Sequence, residues 1–323
     1  MPVLLDLLWL IAGLTALYFG ADWLVNGAAK LAVRYGISPL VVGLTVVAFG
    51  TSAPELFVSI GFNMGGYPDM ALGNVIGSNI CNIALVLGVS AFICVLRVKS
   101  ELLLRDLPIL LGATLVFVWM LADGRIGRVE GTVLFVSVVA YLLYQLVLVK
   151  KYQTPALVTE FTEGLDLSEA KKEPLWKLVV LILVGLVALY FGAEWLERGG
   201  VSLARGFGVP EAVISLTLIA FSTSVPELAT SIVASLKKEG DIITGNIVGS
   251  CIFNLLCVIG ATAMLKPIVT TQIEKSDLFV MVGLSALLLA IMATGKRIGR
   301  REGAFLLLCY AGYTAFLYVD RVA

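Results

Sequence analysis

Two glutamates, Glu55 and Glu227, sit inside long apolar runs, each directly after a proline and close behind a Thr-Ser pair: Gly50-Thr51-Ser52-Ala53-Pro54-Glu55 and Ser222-Thr223-Ser224-Val225-Pro226-Glu227. An ionisable side chain at the centre of a membrane span costs at least about 2.5 to 3.5 kcal/mol, so two of them demand a reason. Each proline withholds an N–H from the residue four positions earlier, Gly50 or Ser222, and frees a carbonyl at the same depth. Hydrocarbon offers such a carbonyl nothing, whereas a cation would meet it. Thr51 and Ser52 precede Glu55 by four and three residues, which puts hydroxyls and carboxylate on one face if helical turns persist; Thr223, Ser224 and Glu227 repeat the pattern. Two further apolar segments carry Ser78 with Asn82 and Ser250 with Asn254, again four apart. The donor set is therefore all oxygen, the chemistry of a hard cation: calcium takes about 6 to 8 oxygens at flexible geometry, while soft metals want sulfur or imidazole. Two carboxylates balance one divalent ion. The same oxygens could instead hold several sodium ions or take up protons.

Blander roles compete for each group. Protonated carboxyls can glue helices together, Thr and Ser commonly bond their own helix backbone in membranes, Asn82 and Asn254 can bridge helices, and Ser78 and Ser250 can be small packing residues. Asn74 and Asn246 read more as interhelical glue than as ligands. Asp22 and Glu194 read as interfacial residues where two helices end.

The elements that must position these groups follow from composition. The chain has 323 residues, 59% apolar and 14% charged, zero formal net charge, a mean hydropathy of +0.98 and no histidine. Soluble domains carry about 25% charged residues, so this is a polytopic membrane protein. The missing histidine excludes Ser-His-Asp hydrolases and His-ligated zinc enzymes, no phosphate-binding P-loop is present, and no enzymatic activity is expected. Five cysteines, all in apolar stretches, read as packing residues. The first apolar stretch has no basic lead and runs to about Trp23, which predicts a permanent helix in place of a cleaved leader. Apolar runs predict helices near 3 to 25, 39 to 64, 70 to 95, 103 to 122 and 130 to 149, then 175 to 197, 211 to 236, 242 to 265, 277 to 294 and 302 to 320. Residues 150–174 read as a solvated linker. Alternate loops hold 16 and 7 basic residues, so the positive-inside rule puts the linker in the cytoplasm and both termini outside.

A shift of 172 residues superimposes the chain on itself: 22 of the 43 positions from Tyr18 to Ile60 are identical to those from Tyr190 to Ile232. The same shift aligns Gly73-Asn-Val-Ile-Gly-Ser-Asn-Ile-Cys-Asn82 with Gly245-Asn-Ile-Val-Gly-Ser-Cys-Ile-Phe-Asn254, and Arg125-Ile-Gly-Arg with Arg297-Ile-Gly-Arg; these last read as tight turns. Each copy, 1–149 and 175–323, holds five predicted spans. An odd number forces the second copy to enter the membrane upside down, so the fold class expected is an all-α integral membrane protein of ten helices in two inverted-topology repeats. Inverted repeats are typical of secondary transporters, with the site near the midplane.

The paired motifs resemble the alpha-repeats of the sodium/calcium exchanger family, within the calcium/cation antiporter superfamily, and the resemblance covers nearly the whole chain. It implies a core of the second, third, seventh and eighth helices, with the first and sixth sliding across it as a gate. It also implies that Glu55 and Glu227 are the central calcium and sodium carboxylates, that Thr51, Ser52, Thr223, Ser224, Ser78 and Ser250 are hydroxyl or carbonyl ligands, that Asn82 and Asn254 are polar ligands on the other two core helices, and that Ala48 and Ala220 offer backbone carbonyls. Some members carry Asp where this chain has Asn254, which leaves stoichiometry and any potassium participation open. The function expected is a sodium/calcium antiporter of the cell (inner) membrane. A proton-coupled or potassium-dependent antiporter is the alternative, and a cation channel is less favoured. The partners expected are the transported ions and the lipid bilayer; no cofactor, nucleic acid or obligate protein partner is called for, and the linker has no calcium-sensing domain.

Overall fold

The computed structural model describes residues 2–152, 173–208, 220–270 and 273–321. Most of the expected linker 150–174 and the start of the segment expected near 211 to 236 therefore lie outside the described residues. The elements are α1 (Pro2–Tyr35), α2 (Pro39–Thr51), α3 (Ala53–Met64), α4 (Pro68–Ile93), α5 (Leu102–Asp123), α6 (Arg128–Tyr152), α7 (Leu175–Gly206), α8 (Ala220–Ser222), α9 (Val225–Leu236), α10 (Gly240–Leu265), α11 (Lys275–Gly295) and α12 (Arg300–Arg321). Among the described residues, seven helices are long and apolar enough to cross a membrane, and eight if the bent pair α2 and α3 counts as one span.

Helices α1 and α7 outrun their expected ends at about 25 and 197, reaching Tyr35 and Gly206. Polar residues that suggested an exit continue the helix instead. Asp22 lies within α1 and pairs with Lys237 at 2.6 Å, and Lys30 pairs with Glu173 at 2.6 Å; Glu194 lies within α7 and pairs with Arg198 on the next turn. The two long helices pack antiparallel through glycines that recur every seven residues, Gly13, Gly20 and Gly27 on one and Gly185, Gly192 and Gly199 on the other. A Cβ on Gly20 would stand 2.9 Å from the Gly185 carbonyl, and one on Gly192 would stand 3.1 Å from that of Gly13. Backbones this close leave no room for any side chain between them.

The Arg-Ile-Gly-Arg sequences do more than turn. Arg125–Ile126 (β2) and Arg297–Ile298 (β4) are two-residue strands, and they pair across the copies: β1 (Leu96–Arg97) with β4, and β2 with β3 (Ile268–Val269), both antiparallel. Leu96, Ile126, Ile268 and Ile298 are fully buried by the pairing. The following glycines, Gly127 and Gly299, donate backbone N–H to Glu130 and Glu302 at 2.6 and 2.9 Å, which satisfies amides that the starts of α6 and α12 would leave open. So the motif encodes strand, turn and helix cap in succession.

Glu55 and Glu227 are not the only buried acids. Asp106, in the first turns of α5, is 0% exposed. It accepts hydrogen bonds from Tyr141 Oη at 3.1 Å and Gln145 Nε2 at 2.8 Å on α6 and pairs with its neighbour Arg105 at 2.7 Å. Asp277 on α11 accepts from Tyr313 of α12 at 2.9 Å in the second copy. These acids are fully engaged in fastening helices. Asp106→Leu should lower the thermal unfolding midpoint in detergent, because it takes the acceptor from the Tyr141 hydroxyl and from the part-buried Arg105 and leaves Gln145 Nε2 only Tyr141 Oη; a buried polar group left without its partner costs about 1 to 3 kcal/mol.

Candidate ion-binding site

The prolines act where the spacing requires. Ser52 leaves helical geometry at φ −88°, ψ 5°, so α2 ends at Thr51, α3 starts at Ala53, and the two meet at a bend of 41°. Ser224 does the same at φ −90°, ψ 1° between α8 and α9. Glu55 and Glu227 thus fall in the first turn of a half-helix, where free N–H groups favour a negative charge, while α2 and α8 end with carbonyls directed at the break. Each break presents both ends of a helix dipole to one spot.

The facing helices loosen at the matching places. Helix α4 contains a π-helical stretch over Cys81–Val86, carrying Asn82, and α10 one over Asn254–Val258, beginning on Asn254. Such wide turns expose backbone groups and are frequent at functional sites.

Burial is nearly complete. Ala48, Thr51, Ser52, Glu55, Ser78, Asn82, Ser224, Glu227, Ser250 and Asn254 are all at most 1% exposed, and Thr223 is half-buried. Ala220 opens α8. The structure joins these residues across the copies instead of within each one. Ser52 Oγ donates to Glu227 Oε1 at 3.0 Å, so the serine three residues before one glutamate serves the other. Ser250 Oγ lies 3.5 Å from the same oxygen. Thr51 Oγ1 is 3.1 Å from the Val47 carbonyl, 3.4 Å from that of Ala48 and 3.2 Å from Asn246 Oδ1, and Thr223 Oγ1 donates to Asn74 Oδ1 at 3.1 Å.

Three asparagines outside the expected set take part. Asn74 and Asn246 meet the two threonines of the opposite copy, and Asn79 accepts from Asn254 Nδ2 at 3.3 Å, which turns the Asn254 carbonyl oxygen the other way. Asn74 and Asn246 had a signal in the repeated Gly-Asn-x-x-Gly-Ser sequence, but repetition marks equivalence and says nothing of contact; Asn79 had none, since Cys251 stands at its place in the second copy.

Several buried polar atoms of these residues are without partners. Among the described residues, both Glu55 oxygens, Glu227 Oε2, Ser78 Oγ, Ser224 Oγ, Asn82 Oδ1 and Asn254 Oδ1 are buried with no hydrogen bond. Leaving one such atom unsatisfied costs about 1 to 3 kcal/mol, and more for a charged group. Other buried atoms lack partners too, namely Asn63 Oδ1, Gln145 Oε1, Thr230 Oγ1, Ser231 Oγ, Thr262 Oγ1 and the amide nitrogens of Asn82 and Asn246; the seven oxygens named first are those on residues that the sequence singles out, and oxygen is the donor a hard cation takes. As a donor set they fit hard cations.

The sequence model described as "Sodium/calcium exchanger protein" matches residues 5–147 and 177–319. The chain belongs to this family. Membership makes it a membrane antiporter of the cation/calcium type and explains why the match falls in two blocks, one per copy. It is 38% identical to the "Putative antiporter CaxA" of Alkalimonas amylolytica, over 98% of this chain and 99% of that one. It is 28% identical to the "Sodium/calcium exchanger MaX1" of Methanosarcina acetivorans over 98% and 99%. The structure resembles that of the sodium-calcium exchanger NCX_Mj soaked with 10 mM Na+ and 10 mM Sr2+, with a TM-score of 0.81 at 30% identity over 99% of both chains.

Proposed function

We propose that this antiporter exchanges sodium for calcium by alternating access, with the ions held by Glu55, Glu227, Thr51, Ser52, Thr223, Ser224, Ser78, Ser250, Asn82, Asn254 and the carbonyls of Ala48 and Ala220. The observation that carries the reading is the group of seven unpartnered, buried oxygens on those residues. A site built this way is costly when empty and is relieved by one divalent ion or by several monovalent ones. The two states compete for the same carboxylates, which is what couples the two fluxes.

The proposed frame is ten spans in two inverted five-span repeats, 1–149 and 175–323, joined by a cytoplasmic linker at 150–174, with both termini outside the cell (inner) membrane. Two features favour inversion: the equivalent helices α1 and α7 run antiparallel, and the equivalent strands pair crosswise. The relative named "Inner membrane protein YrbG" of Escherichia coli, 33% identical over 96% of this chain and 95% of that one, favours the membrane assigned.

Calcium uptake into vesicles reconstituted with the protein tests the coupling. An imposed sodium gradient should drive uptake against the calcium gradient. Uptake driven by a proton gradient alone would replace sodium by protons as the coupling ion, and uptake indifferent to both gradients would make the protein a channel.

A further inference from the structure

Asn74 and Asn246 have no assigned part in the site proposed above, yet each reaches across the molecule to a threonine beside the opposite glutamate. Asn246 Oδ1 lies 3.2 Å from Thr51 Oγ1, and Asn74 Oδ1 lies 3.1 Å from Thr223 Oγ1. On the far side of Asn74, Nδ2 donates to Ser59 Oγ at 3.0 Å and to the Glu55 backbone carbonyl at 3.4 Å. That bonding fixes which end of the Asn74 amide faces the threonine. Its oxygen is then occupied by a hydroxyl hydrogen and its nitrogen by two acceptors, so Asn74 has no group left to offer a cation.

We infer that Asn74 and Asn246 are positioning residues, acting through Thr223 and Thr51: they take the hydroxyl hydrogen and so leave the threonine oxygen lone pairs for the ion. The need is plainest at Thr51. A threonine in a helix tends to bond the carbonyls three and four residues back, and here those are Ala48, 3.4 Å away, and Val47, 3.1 Å away. A hydroxyl hydrogen spent on Ala48 would compete with an ion for a carbonyl proposed as a ligand. Asn246 gives that hydrogen another acceptor. The arrangement is crossed, with the core helix of each copy orienting the broken helix of the other, so the site forms only when both copies are in register.

This inference rests on the ion site proposed above, and its test separates the two. Calcium binding to the purified protein in sodium-free buffer is titrated for the parent, Asn246→Ala, Thr51→Val and the double variant, with folding checked by monodisperse elution. Outer-shell partners of a metal ligand typically contribute about 10- to 100-fold in affinity, so Asn246→Ala should weaken binding about tenfold or more. It should weaken binding no further once Thr51 is Val, whereas paired with Thr223→Val its effect should multiply. Asn246→Asp, isosteric and still an acceptor, should restore binding at least to the parent level. An unchanged affinity in Asn246→Ala, an equal loss in the Thr51→Val background, or no rescue by Asp overturns the inference. Failure of the parent to bind calcium would instead overturn the site. If Asn246→Ala does not fold, Asn74→Ala with Thr223→Val gives a second cycle, with a larger single effect because Asn74 also holds the Glu55 carbonyl.

Discussion

Glu227→Gln and Glu55→Gln should each abolish measurable sodium-driven calcium uptake while leaving the protein folded. At an effective dielectric of about 20, one carboxylate about 2.4 Å from a divalent ion contributes on the order of 10 kcal/mol before the lost hydration of the ion is counted. An amide keeps the shape and a carbonyl oxygen but not the charge. Retaining even two thirds of the interaction would leave calcium binding about a hundredfold weaker or worse. The two variants should differ in one measurable respect. Both Glu55 oxygens lack partners, whereas Glu227 Oε1 receives Ser52 at 3.0 Å and has Ser250 at 3.5 Å. Neutralising Glu55 removes a stranded group and should hold or raise the melting temperature in ion-free detergent. In both variants the further rise on adding calcium should vanish, since only binding to the folded state produces it. If the carboxyls were merely helix glue, both variants would melt earlier and calcium would have no effect in any form.

Gly245→Val should prevent accumulation of folded protein. A Cβ at Gly245 would sit 2.5 Å from the Leu40 carbonyl and 3.0 Å from the Leu44 amide nitrogen, both backbone atoms of α2. Neither can rotate away. Four residues on, a Cβ at Gly249 would meet Ala48 Cβ and the Leu44 carbonyl at 2.7 Å, so this whole face of α10 is moulded to α2. Overpacking a core costs about 1 to 3 kcal/mol when side chains can yield, and a clash between two backbones exceeds that range. Gly283→Val is the control: it is an exposed position on α11 with nothing within 4 Å of the added Cβ, and it should express and elute like the parent. Comparison of the two by fluorescence-detected size exclusion checks the expectation.

The carboxylates and their Thr-Ser neighbours were legible because a charge and a proline inside an apolar run have few uses, and because the run occurs twice. Their partnerships were not. Ser52 precedes Glu55 by three residues and was expected to share its face, but the helix breaks at Ser52 and the hydroxyl crosses to Glu227. Helix ends were misjudged where a polar side chain continues a helix and finds a partner in another segment, as Asp22 does with Lys237. Asp106 escaped notice because nothing in the sequence separates an acid solvated at a helix end from one met by Tyr141 and Gln145 on the next helix. The four strands, two residues each, are too short for any alternation of polar and apolar residues to reveal them.

The crosswise strands also bear on how the chain matures. Leu96 and Arg97 wait for Ile298 and Arg297, and Arg125 and Ile126 wait for Val269 and Ile268, each roughly a hundred and forty to two hundred residues downstream. The first copy therefore emerges from synthesis with two unpaired edges, Leu96–Arg97 and Arg125–Ile126. Two halves so plain in the sequence are not two units of biogenesis. The earlier one is a template held open until the later one arrives, and the last of the four described strands, Arg297–Ile298, is the one that pairs with the first, Leu96–Arg97.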